Sequence, residues 1–201
     1  MSDFPVALHG ERISALIVGG GAVATRKALA LAEAGATVRV VALSVSTELE
    51  AAAQSHRLSI LKGAYAPDQI GSATLVIAAT DSREVNSRVA VDAHERGKLV
   101  NVADFPDEGN FHTMALHRSG DVTIAVSSGG VPGAAARIRD AIAERFDGRY
   151  ERAVSALRGL RTRLIANGSG EWRDAAPKLI GDDFCHSVKD KSFAKKVESW
   201  R

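Results

Sequence analysis

The sequence is poor in cysteine, in aromatic residues and in long apolar runs, and each shortage narrows what the chain can be. One cysteine, Cys185, stands among 201 residues, so no intramolecular disulfide framework is possible and a reducing compartment is expected. Aromatic residues make up 5% of the chain, too few for an aromatic platform that stacks nucleic-acid bases. Twenty-six Lys and Arg against 24 Asp and Glu leave a net charge of +2, so no global field marks a nucleic-acid binder. No apolar run approaches the ~20 residues that span a bilayer, and the N-terminus lacks a signal-peptide pattern. A cytoplasmic protein with no nucleic-acid or membrane partner is the expectation. Metal-ligand spacing is missing too. His112 and His117 stand five apart with no Cys or acid at a zinc-like interval, and His94-Glu95 has no second helical histidine. Hence no dedicated metal site is expected. Cys185-His186 lacks the context of a nucleophile, and no G-x-S-x-G elbow surrounds Ser127 and Ser128.

Hydrophobic residues nevertheless make up 45% of the chain, enough for a substantial core. The apolar run Ala15-Leu16-Ile17-Val18 breaks into Gly19-Gly20-Gly21-Ala22-Val23-Ala24. Gly19, Gly21 and Ala24 fit the fingerprint G-x-G-x-x-G/A, which brings backbone close to a pyrophosphate at a helix N-terminus. A Cβ at Gly19 or Gly21 is expected to strain this turn and hold the chain away from the anion. The pattern then predicts a helix over 22–34, ended by Gly35, and a strand over 36–42. That is a βαβ unit, the building block of a parallel sheet buried on both faces. The acid that commonly ends the second strand and bonds a ribose is absent: the chain reads Val41-Ala42-Leu43-Ser44. Arg39 lies inside the strand, where a solvated or structural role is expected, so Ser44 and nearby backbone must serve any ribose.

Further on, the sequence predicts a helix over 47–56 capped by Ser46 or Thr47, and strands over 58–61, 74–81, 99–103 and 121–126. A helix over 83–96 is capped by Asp81 or Ser82. Ligands of open parallel sheets sit beyond the carboxyl ends of the strands, which places Thr80, Asp81 and Asp104 on the ligand side, whereas Asp107 and Glu108 read as solvated turn residues. A second glycine turn, Ser127-Ser128-Gly129-Gly130, opens a long Arg-rich helical stretch from about Ala134 to Ile165, interrupted at Asp147-Gly148. A Gly-rich break over 167–170 leads into a short tail anchored by Trp172 and Trp200.

Four spaced segments together carry a resemblance: Gly19-Gly20-Gly21-x-Val23-Ala24-x-Arg26-Lys27, Ala79-Thr80-Asp81-x-x-x-Val85-Asn86, Asn101-Val102-x-Asp104, and Ser127-Ser128-Gly129-Gly130 followed by Ala136-Arg137. The chain resembles the precorrin-2 dehydrogenase/sirohydrochlorin ferrochelatase family over roughly residues 5–165. The resemblance implies an α/β fold: a Rossmann-type parallel sheet over 1–113, a dimerisation segment over 114–150 and a small helical C-terminal domain over 151–201. It implies NAD as cofactor, a homodimer, dehydrogenation of precorrin-2 to sirohydrochlorin in siroheme synthesis, and in some members insertion of ferrous iron as a second substrate. Carried over by position, Ala22 and Val23 match the family's pyrophosphate turn, Leu43 and Ser44 its contact after the second strand, Asp104 its catalytic aspartate and Ser128 a serine of its tetrapyrrole pocket. Beside them, the fingerprint and the strand ends make Gly19, Gly20, Gly21, Thr80 and Asp81 cofactor candidates, and Asn101, Gly129, Gly130 and Arg137 are candidates for the substrate.

Met114, Ala103 and Val131-Pro132-Gly133 depart from the family's pattern on the substrate side. A dinucleotide-sensing module without turnover is the alternative reading; it leaves the Asn101-x-x-Asp104 segment and the second glycine turn without a role.

Overall fold

Five strands align in parallel, and two inner ones are short runs of aliphatic residues buried on both faces. The computed structural model describes residues 3–55, 58–166 and 170–200. Strands β1 (Ser14–Val18), β2 (Thr37–Ala42), β3 (Leu58–Lys62), β4 (Leu75–Ala78) and β5 (Leu99–Val102) form one sheet in the order β3-β2-β1-β4-β5, every pair parallel. Helices α1 (Ala22–Glu33), α2 (Thr47–Ser55) and α3 (Arg83–Glu95) make the crossovers. The His56 end of the helix expected over 47–56 lies outside the described residues.

Two apolar layers cover the sheet. Ile17, Val38, Val40, Leu49 and Ile77 pack on one face with α1 and α2, while Leu16, Val41, Ile70, Val76, Val89 and Val100 pack on the other with α3. Leu16 and Ile17 are wholly buried, and shortening either to Ala would cost about 2–5 kcal/mol. The strand order reverses between β1 and β4, which opens a crevice beyond their carboxyl ends; in such sheets that is where ligands bind.

Tyr65 closes the α3 side. Its hydroxyl donates to Asp92 Oδ2 at 2.9 Å, and burial together with this bond pushes its pKa above the usual phenol value. A phenol whose folded-state pKa is raised contributes stability that is intact below about pH 10 and lost as the pH climbs beyond it. Tyr65→Phe should therefore narrow the stability difference from the parent as pH rises above ~10, read as Tm against pH; a difference that stays constant would contradict this.

The chain divides into two compact units, 1–112 and 113–201. In the second, β6 (Ala115–Ser119) and β7 (Val122–Val126) form an antiparallel hairpin. Helix α4 (Pro132–Ala143) packs on that hairpin. Helix α5 (Gly148–Ala166) is followed by α6 (Glu171–Leu179), α7 (Phe184–Lys189) and α8 (Phe193–Glu198) around Tyr150, Leu157, Leu160, Leu179 and Phe193. The interruption expected at Asp147-Gly148 separates α4 from α5. Two corrections follow: β6 has no counterpart in the sequence reading, and α4 starts at Pro132 rather than near Ala134. Residues 171–198 hold three short helices, in keeping with the helical C-terminal end that the resemblance implies. Trp172 and Trp200 pack against that cluster as anchors. Of the break expected over 167–170, residues 167–169 lie outside the described residues. No helix among the described residues is long and apolar enough to cross a membrane.

Candidate active site

The glycine turn is shaped by two different demands. Gly19 has φ +127°, and a Cβ there would stand 2.1 Å from the Ala79 carbonyl oxygen; a Cβ on Gly20 would stand 2.0 Å from the Ser44 oxygen. Both glycines let β1 pass close to the loops after β4 and β2. Gly21 differs: its φ is −81° and a Cβ would meet nothing within 4 Å. The strain expected at Gly19 and Gly21 thus falls on Gly19 and Gly20, and Gly21 faces open space.

That space lies at the start of α1. No side chain caps this helix and its first turn contains no acid, so the free N–H groups of a helix N-terminus and the positive end of its dipole remain available to an anion. Ala22 and Ser44 are exposed, with Val23 at 41% and Leu43 at 80% exposure. A dinucleotide therefore fits the residues present: an open cradle at Gly21, an uncapped N-terminus for the pyrophosphate, and exposed apolar side chains beside them.

The β2–α2 loop is lashed to the glycine turn. Ser46 N–H donates to the Gly20 carbonyl at 3.1 Å, Ser46 Oγ lies 2.9 Å from Thr25 Oγ1, and the same oxygen caps α2 by accepting from Leu49 N–H. Ser46, not Thr47, is the cap. Arg39 donates to the Gln69 carbonyl and so has a structural partner.

Beyond β4 and β5 the polar residues converge on one buried side chain. Asn86 is 0% exposed; its Oδ1 accepts from Thr80 N–H at 3.0 Å and Thr80 Oγ1 at 2.8 Å, and its Nδ2 donates to the Thr80 carbonyl at 3.0 Å and to Asp104 Oδ1 at 2.9 Å. Thr80 and Asp104 thus meet through Asn86, while Asp104 itself is exposed. Ser82 caps α3 through Val85 N–H, which settles the choice between Asp81 and Ser82; Asp81 is exposed. Glu108, expected as a solvated turn residue, is instead paired in a two-pronged contact with Arg83, because the short turn Pro106–Glu108 folds back toward the start of α3. This bond holds the Glu108 carboxyl below its ordinary pKa. The Arg83 guanidinium also lies 4.7 Å from the centre of the Phe105 ring.

Asn101 is 5% exposed. Its Nδ2 donates to the Phe111 carbonyl at 3.1 Å, and its Oδ1 is buried without a hydrogen-bond partner. In the second unit, Gly129 and Gly130 adopt φ of +59° and +90°, and Ser128 Oγ donates to the Val131 carbonyl. Arg137 is exposed on α4. The two histidines weighed as ligands face different groups: His117 Nε2 contacts the Phe146 carbonyl at 2.8 Å, and His112 lies 3.6 Å from Asp3.

A parallel sheet in the order 3-2-1-4-5 with a glycine turn at its reversal defines a dinucleotide-binding Rossmann protein. Comparison with known proteins sharpens this. Residues 6–115 match a family described as putative NAD(P)-binding. The chain is 40% identical over 183 residues to siroheme synthase of Chromobacterium violaceum, covering 90% of this chain and 36% of that protein. It is 36% identical over 186 residues to siroheme synthase 3 of Aeromonas hydrophila subsp. hydrophila, covering 91% of this chain and 40% of that protein. It therefore spans two fifths or less of these relatives. Among solved structures it matches SirC, a precorrin-2 dehydrogenase, with a TM-score of 0.79 and 26% identity, over 98% of this chain and 100% of that one. The chain belongs to the family described as putative NAD(P)-binding, and it is similar to siroheme synthases and to a precorrin-2 dehydrogenase.

Proposed function

We propose that the chain catalyses NAD-dependent dehydrogenation of precorrin-2 to sirohydrochlorin, the step toward siroheme that the family's names describe. The observation that carries this reading is a single carboxylate, Asp104, oriented by Asn86 just past β5, on the same side of the sheet as the open glycine turn. Bound NAD supplies a hydride acceptor, and the two electrons leave the substrate with that hydride. The second hydrogen leaves as a proton, and Asp104 accepts it as general base. Gly19, Gly20 and Gly21 with Ala22 and Val23 hold the pyrophosphate, Leu43 and Ser44 border the ribose, and Thr80 and Asp81 border the nicotinamide end. Thr80 does so chiefly through its position, since its hydroxyl bonds Asn86 and lies within reach of the Ser82 carbonyl.

NAD rather than NADP is the cofactor in this reading. The end of β2 presents Leu43 and Ser44, and Arg39, which a 2′-phosphate would attract, is engaged with Gln69. In the second unit, Ser128, Gly129, Gly130 and Arg137 serve the tetrapyrrole in this reading. Arg137 faces a carboxylate of the substrate, so Arg137→Glu should raise KM for precorrin-2 by about tenfold with kcat nearly unchanged, as loss of a charge-assisted contact dictates; an unchanged KM would return this residue to the solvated surface.

Residues 114–150 carry the dimer contacts and 151–201 the helical domain in the same reading, with the protein in the cytoplasm. Ferrous iron is a second substrate: metal insertion requires pyrrole N–H protons to leave, and the Asp104 carboxylate can accept them too. Anaerobic incubation with enzymatically made precorrin-2, NAD and ferrous iron, followed by separation of the tetrapyrroles, tests both steps. Sirohydrochlorin without siroheme would confine the chain to dehydrogenation, and tight NAD binding with no product would favour the sensing module.

A further inference from the structure

Asn86 makes more bonds than the fold requires of it. The cap of α3 is supplied by Ser82, and the backbone of Thr80 needs only one donor and one acceptor to be satisfied. The Asn86 carboxamide uses its full capacity, with two donors and two lone pairs, and the fourth of its bonds reaches the exposed carboxylate of Asp104 at 2.9 Å. The orientation of the amide is unambiguous. Exchanging its nitrogen and oxygen would set an NH2 group against the Thr80 N–H and an oxygen against the Asp104 carboxylate.

We propose that Asn86 is the positioning residue for Asp104, a role that rests on the dehydrogenase reading above. The Asp104 carboxylate lies on a bend past β5, and among the described residues its side-chain hydrogen bond is the one from Asn86. The wholly buried Asn86 is held by three bonds to Thr80, and a charge-assisted bond from it fixes one oxygen of the exposed Asp104 carboxylate. Because Asn86 is also clamped to the backbone of Thr80 at the end of β4, one side chain sets the base relative to the strand end that borders the nicotinamide. Proton and hydride must leave neighbouring parts of one substrate, so the distance between these two strand ends decides whether both are in reach.

Asn86→Asp tests this because it preserves size and an acceptor for Thr80 while turning the donor toward Asp104 into a second carboxylate oxygen. The expected result is a kcat about a hundredfold lower, with KM for precorrin-2 and Kd for NAD within about threefold of the parent. The reversed pair, Asn86→Asp with Asp104→Asn, restores a donor facing an acceptor. It should regain the part of the lost Tm that comes from the facing carboxylates, without regaining kcat, since an amide at 104 accepts no proton. If Asn86→Asp fails to fold, Asn86→Ser shortens the side chain so that it no longer spans from Thr80 to Asp104, adds no charge, and carries the same expectation for kcat. A folded variant with kcat within about twofold of the parent would overturn the proposal, as would parallel losses in kcat, NAD affinity and Tm. Failure of the underlying reading is a different result: the parent chain would form no reduced nicotinamide, while the Tm coupling between Asn86 and Asp104 would still report their contact.

Discussion

Asp104→Asn lowers kcat for precorrin-2 dehydrogenation by about 10²–10⁴-fold, the range general-base removal commands, and leaves NAD binding nearly unchanged. The substitution is nearly isosteric, and its amide oxygen still accepts the bond from Asn86 Nδ2. Asp104 is exposed, so the change neither buries a polar group nor opens a cavity, and Tm should move little. Loss of turnover at constant Tm and constant Kd for NAD isolates the proton-accepting role. Iron insertion should fall in the same variant if one carboxylate serves both deprotonations. An Asp104→Asn protein with parental kcat would remove Asp104 from the chemistry and reduce it to a turn residue.

Gly19→Ala costs about 4 kcal/mol, the sum of a strained backbone and an overpacked contact, or roughly 10 °C of Tm for a chain of this size. The added methyl would stand 2.1 Å from the Ala79 carbonyl oxygen at a φ of +127°, and β1 cannot retreat because it is paired on both sides by β2 and β4. Gly21→Ala provides the contrast. Its methyl meets no protein atom within 4 Å, so Tm should stay within a few degrees while Kd for NAD rises by at least about tenfold, the methyl occupying space the pyrophosphate needs. Calorimetry and NAD titration on the two variants separate a glycine required by the fold from one required by the ligand. Equal NAD affinity in Gly21→Ala and the parent would place the dinucleotide elsewhere.

That pair of glycines also marks what a sequence can disclose. The run Ala15–Val18 followed by glycines made the buried strand and its turn legible, because a both-faces-buried strand reads as a continuous apolar run. Which glycine is constrained by protein atoms was not legible: the oxygens in question belong to Ala79 and Ser44, distant in sequence and brought in by the parallel register. Asn86 illustrates the same limit. Its place in a spaced motif was visible, yet its contact with Asp104, 18 residues away, depends on β4 and β5 being neighbours. β6 escaped notice for another reason. Its alternation is inverted, with Leu116 exposed at 42% while His117 turns inward to the Phe146 carbonyl. The three short helices after 170 are held by the packing of Leu179, Val188 and Phe193 against α5. Helices of six to nine residues gain too little from local propensity to announce themselves.

The central claim is that the open glycine turn and Asp104 together oxidise a tetrapyrrole. Its most direct test is to mix the purified chain anaerobically with precorrin-2 and NAD and follow reduced nicotinamide by its near-ultraviolet absorbance, with NADP in a parallel reaction. The account predicts one equivalent of NADH for each sirohydrochlorin formed, with NADP turning over far more slowly. A folded chain that binds NAD but forms no NADH from precorrin-2 would contradict it.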